Sequence, residues 1–235
     1  DAPVLGSAGS LPNVLGTYYV YAIANPVPSD VTCRPFQLIQ VNVNPSPNAG
    51  TDGNTTVCES STTPINLFNL ITGEQAGGTW SQTSGTGGVF NAAAGTFTPA
   101  IGATTSTFNY TLTGAAPCTG DFSIATVNIN PQPNAGSDST LDICLGNLTT
   151  IDLFSIITGE QSGGSWVRTS GTGGTFNALV GTFTPSAATT NSTFTYTLAG
   201  IAPCIDDSSI ATINFIAPLT AGTDGSLNIC SSSST

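Results

Sequence analysis

Residues 48 to 133 carry short apolar runs separated by clusters of Gly, Pro, Asn and Ser. The runs read TTVC, PINLFNL, GGTWSQT, GTFTP, STFNYTLTG and FSIATVNIN. They are rich in Thr, Val, Ile and aromatics, and several alternate in polarity, the period-two signature of a strand with one buried face. Across Ser106 to Leu112, Phe108, Tyr110 and Leu112 fall on one face and Thr107, Asn109 and Thr111 on the other. Across Ser123 to Ile129 the pattern is mixed, because Ile124 competes with the alternates Ala125, Val127 and Ile129, and the register stays open. Support for helices is nearly absent. The stretch GEQAGGTWSQTSGTGGVFN reads as one strand between two turns. The glycines ahead of Trp80 lead into the strand, and SGTGG after it reverses the chain toward VFN.

The pattern returns 86 residues later. Residues 48–133 and 134–219 agree at 48 of 86 positions: NAGTDG returns as NAGSDS, LITGEQAGGTW as IITGEQSGGSW, GTFTP unchanged, and AAPC as IAPC. Solenoids repeat every 20 to 50 residues or so, whereas this period is the size of a complete small domain. About seven short strands with one tryptophan per repeat predict an all-β chain of tandem immunoglobulin-like β-sandwich repeats forming an elongated rod, with Trp80 and Trp166 supplying the core tryptophan of strand C. Residues 1–47 read as the C-terminal part of a preceding repeat, 48–133 and 134–219 as whole repeats, and 220–235 as the start of a following one. The chain is expected to be a window on a longer array.

Composition then removes chemistry. The 235 residues hold no His and no Met, and their only cations are Arg34 and Arg168 against 13 carboxylates, for a net charge of -11. A phosphate-binding loop over Gly73 to Thr79 fails because Thr79 stands where the lysine is needed. Nucleic acid is excluded as a partner, since nothing would release its counterions. Histidine catalysis and histidine-ligated metals are impossible. A glycosidase would need two acids about 5 to 9.5 Å apart across a cleft. Glu74 and Glu160 recur within TGEQ, but an acid repeated in each unit without a partner reads as a turn or surface residue, and no enzyme activity is expected. Charged residues are 6% of the chain against about 25% in average proteins, so its surface is dominated by neutral hydroxyl and amide groups. That suits an extracellular stalk. No apolar run reaches the roughly 18 residues of a membrane span, and the first residues lack a signal-peptide pattern, so any signal peptide would lie outside this stretch.

Six cysteines without histidine or C-x-x-C spacing point to disulfides: Cys33, Cys58, Cys118, Cys144, Cys204 and Cys230. Cys58 with Cys118 and Cys144 with Cys204 are the simple pairs, each 60 residues apart. An Ig-like topology puts Cys58 in the A–B turn and Cys118 in the F–G loop, at opposite ends of one sandwich. In a head-to-tail rod Cys58 would then reach Cys204 and staple two repeats. The topology favours this staple, leaves the intra-repeat pairs open, and fits a Cys118–Cys144 bridge worst. Asp52, Asp138 and Asp224 open each repeat in PNAGTDG and its equivalents, near the F–G loop acids Asp121, Asp206 and Asp207. Oxygen ligands converging at inter-repeat junctions would suit Ca²⁺. Against that stands a plain role, an Asp bonding its own turn backbone.

The segments PNAGTDGNTTVCESSTTPINLFNLITGEQAGGTW and APCTGDFSIATVNI, with their equivalents one repeat later, resemble the tandem Ig-like repeats of giant cell-surface adhesins of gliding bacteria, the SprB-like gliding-motility adhesins exported by type IX secretion. The resemblance spans both full repeats. It implies a long cell-surface filament that grips a substratum and is moved by the motility machinery; surface polysaccharide and the secretion machinery are further expected partners, and self-association into filaments is left open. The alternatives are a passive spacer bearing a distant adhesive tip, and a carbohydrate-binding module using an exposed Trp80 or Trp166. DST at Asp138 to Thr140 resembles the O-glycosylation signal of these bacteria and makes Ser139 a glycosylation candidate. Asn54, Asn109, Asn147 and Asn191 head N-x-[ST] sequons, which chance explains in so Thr- and Ser-rich a chain.

Overall fold

The computed structural model describes residues 16–23, 36–217, 219, 222, 224 and 225, which fall in two compact units, Asp1–Pro131 and Gln132–Thr235. The first unit opens with β1 (Gly16–Ile23) and β2 (Phe36–Val43), an antiparallel pair with Gly16 opposite Val43. Seven strands follow: β3 (Gly53–Cys58), β4 (Ile65–Asn66), β5 (Thr79–Ser84), β6 (Val89–Asn91), β7 (Thr96–Thr98), β8 (Ser106–Leu112) and β9 (Asp121–Asn130). One sheet has the order β3-β9-β8-β5 and the other β4-β7-β6. β3 runs parallel to β9, and the other pairings are antiparallel. In immunoglobulin lettering these are A′-G-F-C and B-E-D. The second unit repeats the arrangement with β10 (Ser139–Cys144), β11 (Ile151–Asp152), β12 (Ser165–Ser170), β13 (Thr175–Asn177), β14 (Thr182–Thr184), β15 (Ser192–Leu198) and β16 (Asp207–Ile216). No helix among the described residues is long and apolar enough to cross a membrane.

Each sandwich is held by an aromatic stack. Trp80, on β5, is buried and meets Phe68 edge-on at 5.3 Å and Tyr110 at 5.2 Å, while Phe108 lies between Phe90 at 4.9 Å and Phe97 at 5.0 Å. Edge-on and tilted contacts suit the ring quadrupoles. Trp166, Phe154, Tyr196, Phe194, Phe176 and Phe183 rebuild the stack in the second unit. Gly95 seals the tryptophan: its φ is +62°, and a Cβ there would stand 2.7 Å from both Trp80 Nε1 and Phe68 Cε2. Both tryptophans sit where strand C was expected to supply them. Their burial removes the version of the carbohydrate-binding reading in which an exposed Trp80 or Trp166 stacks on sugar.

One local expectation needed correction, and one register left open is settled. PINLFNL is not one long strand. After the two residues of β4, the Asn66 side chain accepts a hydrogen bond from Phe68 N at 3.1 Å and starts a 3₁₀ turn over Leu67–Asn69; Asp152 does the same for Leu153–Ser155. A short polar side chain competing for a backbone amide ends the ladder. On β9 the residues facing the core are Ser123, Ala125 and Val127, while Phe122 is left 56% exposed. A serine takes a core position because its hydroxyl is satisfied there, donating to Ala49 O at 2.7 Å.

Each sandwich closes its own core, so damage to one stays local. Phe108→Ala, at a fully buried ring, is expected to cost the first repeat about 3–5 kcal/mol. Denaturant unfolding followed through Trp80 in a Trp166→Phe background shows the lowered midpoint. The second repeat, followed through Trp166 in a Trp80→Phe background, keeps its own.

Candidate functional site

The repeated segments PNAG and TGEQ, far apart along the chain, meet at the end of each sandwich where the chain arrives. Asn48 turns on itself, its Oδ1 accepting from Gly50 N at 3.0 Å. Gln75 grips it twice: Gln75 N donates to Asn48 O at 2.9 Å, and Gln75 Oε1 accepts from Asn48 N at 3.0 Å. Gly50, at φ +93°, lies so close to this loop that a Cβ would be 2.7 Å from Thr72 O and 3.2 Å from Glu74 Cβ. The loop is pinned to the core by Tyr110, whose hydroxyl accepts from Gly78 N at 2.9 Å and donates to Gln75 O at 2.8 Å. Ala49, fully buried, donates its N–H to Asp121 Oδ2 at 2.8 Å and accepts from Ser123 Oγ. The second unit has the same clasp: Ala135 with Asp207 at 2.8 Å and Ser209 at 2.6 Å, Asn134 with Gln161, and Tyr196 with Gly164 at 2.8 Å.

The clasp places the sequence candidates. Asp52 Oδ1 accepts from Ile124 N, and Asp138 Oδ1 from Ile210 N, both at 2.8 Å. The plain role is therefore real but different from the one anticipated, since each Asp bonds the neighbouring G strand rather than its own turn. Asp206 Oδ1 accepts from Gly200 N at 2.9 Å, and Asp224 is exposed. No group of three or more His, Cys, Asp or Glu side chains converges among the described residues. Glu74 and Glu160 back the Gly50 and Gly136 turns. Ser139, half-buried, opens β10 on the side of the strand that carries Leu141 and Ile143. Asn54 is exposed on β3 and Asn109 half-buried on β8, while Asn147 and Asn191 use their side-chain oxygens to hold Thr149 N at 2.9 Å and Phe215 N at 2.8 Å. Among the described residues Arg168 meets no acid. It donates to Ser170 O, Gly173 O and Ser192 Oγ with its guanidinium 5.0 Å from the centre of the Phe183 ring, and burial lowers its pKa.

The cysteines sort cleanly. Cys58 and Cys204 are each disulfide-bonded, and Cys118 and Cys144 carry free thiols. Cys33 and Cys230 lie outside the described residues. The intra-repeat pairs Cys58–Cys118 and Cys144–Cys204 and the Cys118–Cys144 bridge are thus excluded. The reason is visible within one sandwich. Cys58 ends β3 opposite Asn130, the last residue of β9, whereas Cys118 lies in the loop before Asp121, the first. A ten-residue strand is about 30 Å long at ~3.3 Å per residue, against a disulfide Cα separation of at most about 7 Å.

The sequence pattern did not single out Asn48, Gln75 or Ser123, and it marked Tyr110 only as a core-facing ring. The available signal was their exact recurrence at Asn134, Gln161, Tyr196 and Ser209, which hydrophobic patterning does not weigh. Asp121→Ala, which orphans the buried Ala49 amide, is expected to destabilise the first repeat by about 1–3 kcal/mol. Asp121→Asn keeps an acceptor and loses less. Denaturant midpoints of the two variants measure the difference.

No family model matches the chain, and no curated protein matches it. Among solved structures it is similar to the titin I67–I69 E-to-A variant, at 10% identity over 86% of this chain and 75% of that one, with a TM-score of 0.47. The I-band fragment I67–I69 from titin gives 11% identity over 86% and 75%, with a TM-score of 0.46. Drosophila N-cadherin EC1-4 gives 7% identity over 70% and 49%, with a TM-score of 0.35. What defines the architecture is the strand order itself: A′-G-F-C packed on B-E-D, twice over, makes this chain a tandem of immunoglobulin-like β-sandwiches.

Proposed function

We propose that this chain is part of the stalk of a long, repetitive extracellular adhesin or filament with no catalysis of its own. The observation that carries the reading is the duplication. Two successive sandwiches close separate cores with the same aromatic stack and the same clasp, which is what a modular stalk needs and what a single catalytic cleft does not. The oxidised cysteines favour an extracellular setting. The outer face of the A′-G-F-C sheet supports an adhesive role. In the second repeat it presents Thr169, Thr193, Thr195, Thr197 and Thr212, with Thr169 and Thr193 hydroxyls 2.8 Å apart. Such a neutral hydroxyl array suits many weak hydrogen bonds to a hydrated substratum or surface polysaccharide. Cell-surface placement, a role in gliding motility, coupling to motility and secretion machinery and filament self-association are the finer part of the proposal and rest on the adhesin resemblance.

The test is direct. Adsorbed from solution, the 235-residue chain is expected to coat glass or polysaccharide-bearing beads and to be retained through washing. An inert chain would leave only the passive spacer with its adhesive tip elsewhere. Calcium at the repeat junctions is a separate proposal on Asp52, Asp121, Asp138, Asp206, Asp207 and Asp224. A melting temperature that rises in excess Ca²⁺ over chelator supports it, and an unchanged one means these carboxylates serve backbone amides alone.

A further inference from the structure

We propose that the first strand of the second repeat, residues 134–144, is held as a detachable ligand, and that the rest of that repeat is a receptor for the same strand of a second copy of the chain. Copies then associate by exchanging this strand, which deepens the self-association proposed above and rests on that reading.

Three observations carry it. First, β10 is an edge strand, at one end of the order β10-β16-β15-β12. The fully buried Leu153, Phe183, Phe194 and Tyr196 all lie outside it, whereas its own Leu141 and Ile143 are only partly buried. Second, the segment is seated through its backbone. Asn134 N donates to Gln161 Oε1 at 3.0 Å and Ala135 N to Asp207 Oδ2 at 2.8 Å, Ala135 O accepts from Ser209 Oγ at 2.6 Å, and Ser137 N donates to Thr158 O at 3.0 Å. A parallel ladder follows, from Ser139 opposite Ala211 to Cys144 opposite Ile216. Such backbone bonds bind an added strand, and closed positions along it supply the specificity. Here Ala135 has no exposed surface, and a Cβ on Gly136, at φ +92°, would stand 2.9 Å from Thr158 O. Third, Gln75, Asp121 and Ser123 hold Asn48 and Ala49 in the same way, so the chain already carries two sites that read one motif, Asn-Ala-Gly-[Thr/Ser]-Asp.

Exchange between copies breaks and remakes the same bonds, which makes it a low-cost route to association. What favours the home strand is its tether. Residues 145–150 join β10 to β11, and a short connection of this kind sets an effective concentration on the order of mM. Gly146 lies in that connection, exposed, with open space around it. Cutting there removes the advantage of the home strand without touching the seat.

The test places a recognition sequence for a site-specific protease after Gly146 in the full chain. Cleavage is carried out under a thiol reductant with a dye-labelled peptide of residues 132–146 already present in excess, so that residues 147–235 always have a strand at hand. In gel filtration the peptide is expected to elute with residues 147–235, and to elute free when mixed with the uncleaved chain, whose own strand fills the seat. Peptides carrying Ala135→Leu or Gly136→Ala are expected to be captured at least about tenfold more weakly, because the closed seat has no room for the added atoms. No capture of the unchanged peptide, or equal capture of the variants, overturns the receptor. Light scattering of the uncleaved chain reads self-association separately. Assembly without capture overturns the exchange and spares the filament, whereas capture without assembly keeps the receptor and removes self-association from the function proposed above.

Discussion

Everything in a repeat follows from how Ala49 is held. Its side chain is buried, and both of its backbone groups are taken by side chains of one strand, the N–H by Asp121 and the C=O by the hydroxyl of Ser123. A buried backbone group without a partner costs about 1–3 kcal/mol, so the arriving chain has one favourable place to lie. That place is the start of the G strand. From there the chain continues as A′ alongside it, in parallel, until Cys58 comes level with Asn130.

The direction of A′ then sets where the chemistry goes. Running parallel to the G strand, it carries its cysteine the length of the sandwich, away from the F–G loop. A repeat built this way cannot close on its own two cysteines, whatever their spacing in sequence. The same clasp explains the recurrence of TGEQ, since Gln75 and Gln161 also hold the arriving chain. Glu74 keeps company with them as the residue over which Gly50 turns. Repetition of these residues is thus a mark of the clasp.

The loss of charge from the surface is consistent with this economy of means. Ion pairs play no part in the clasp. Its bonds are made by amides, hydroxyls and carboxylates to backbone groups, which holds the geometry with a few short polar side chains and leaves the sheet faces to threonine. Even Arg168 spends its donors on carbonyl and hydroxyl oxygens beside two aromatic rings. The equivalent position in the first repeat, Gln82, reaches the corresponding backbone with a neutral amide.

The sequence by itself determined the repeat, the all-β sandwich, the tryptophan in strand C and the inward face of Phe108, Tyr110 and Leu112. These depend on local alternation and on identity at a fixed offset, both readable along one dimension. It excluded phosphate and nucleic-acid chemistry for the same reason, since a residue type that is missing is missing in any fold. Only the tertiary structure decided the register of β9, the shortening of PINLFNL into a 3₁₀ turn, the partners of Asp52 and Asp121, and which cysteines are bonded. Apart from the 3₁₀ turn, which Asn66 starts by holding the amide of Phe68 two residues on, these turn on a polar group finding a partner about 72 residues away or on a cysteine's place at one end of a sheet. Such a pairing leaves no period in the sequence, because hydrogen bonds between distant segments are fixed by topology and not by spacing.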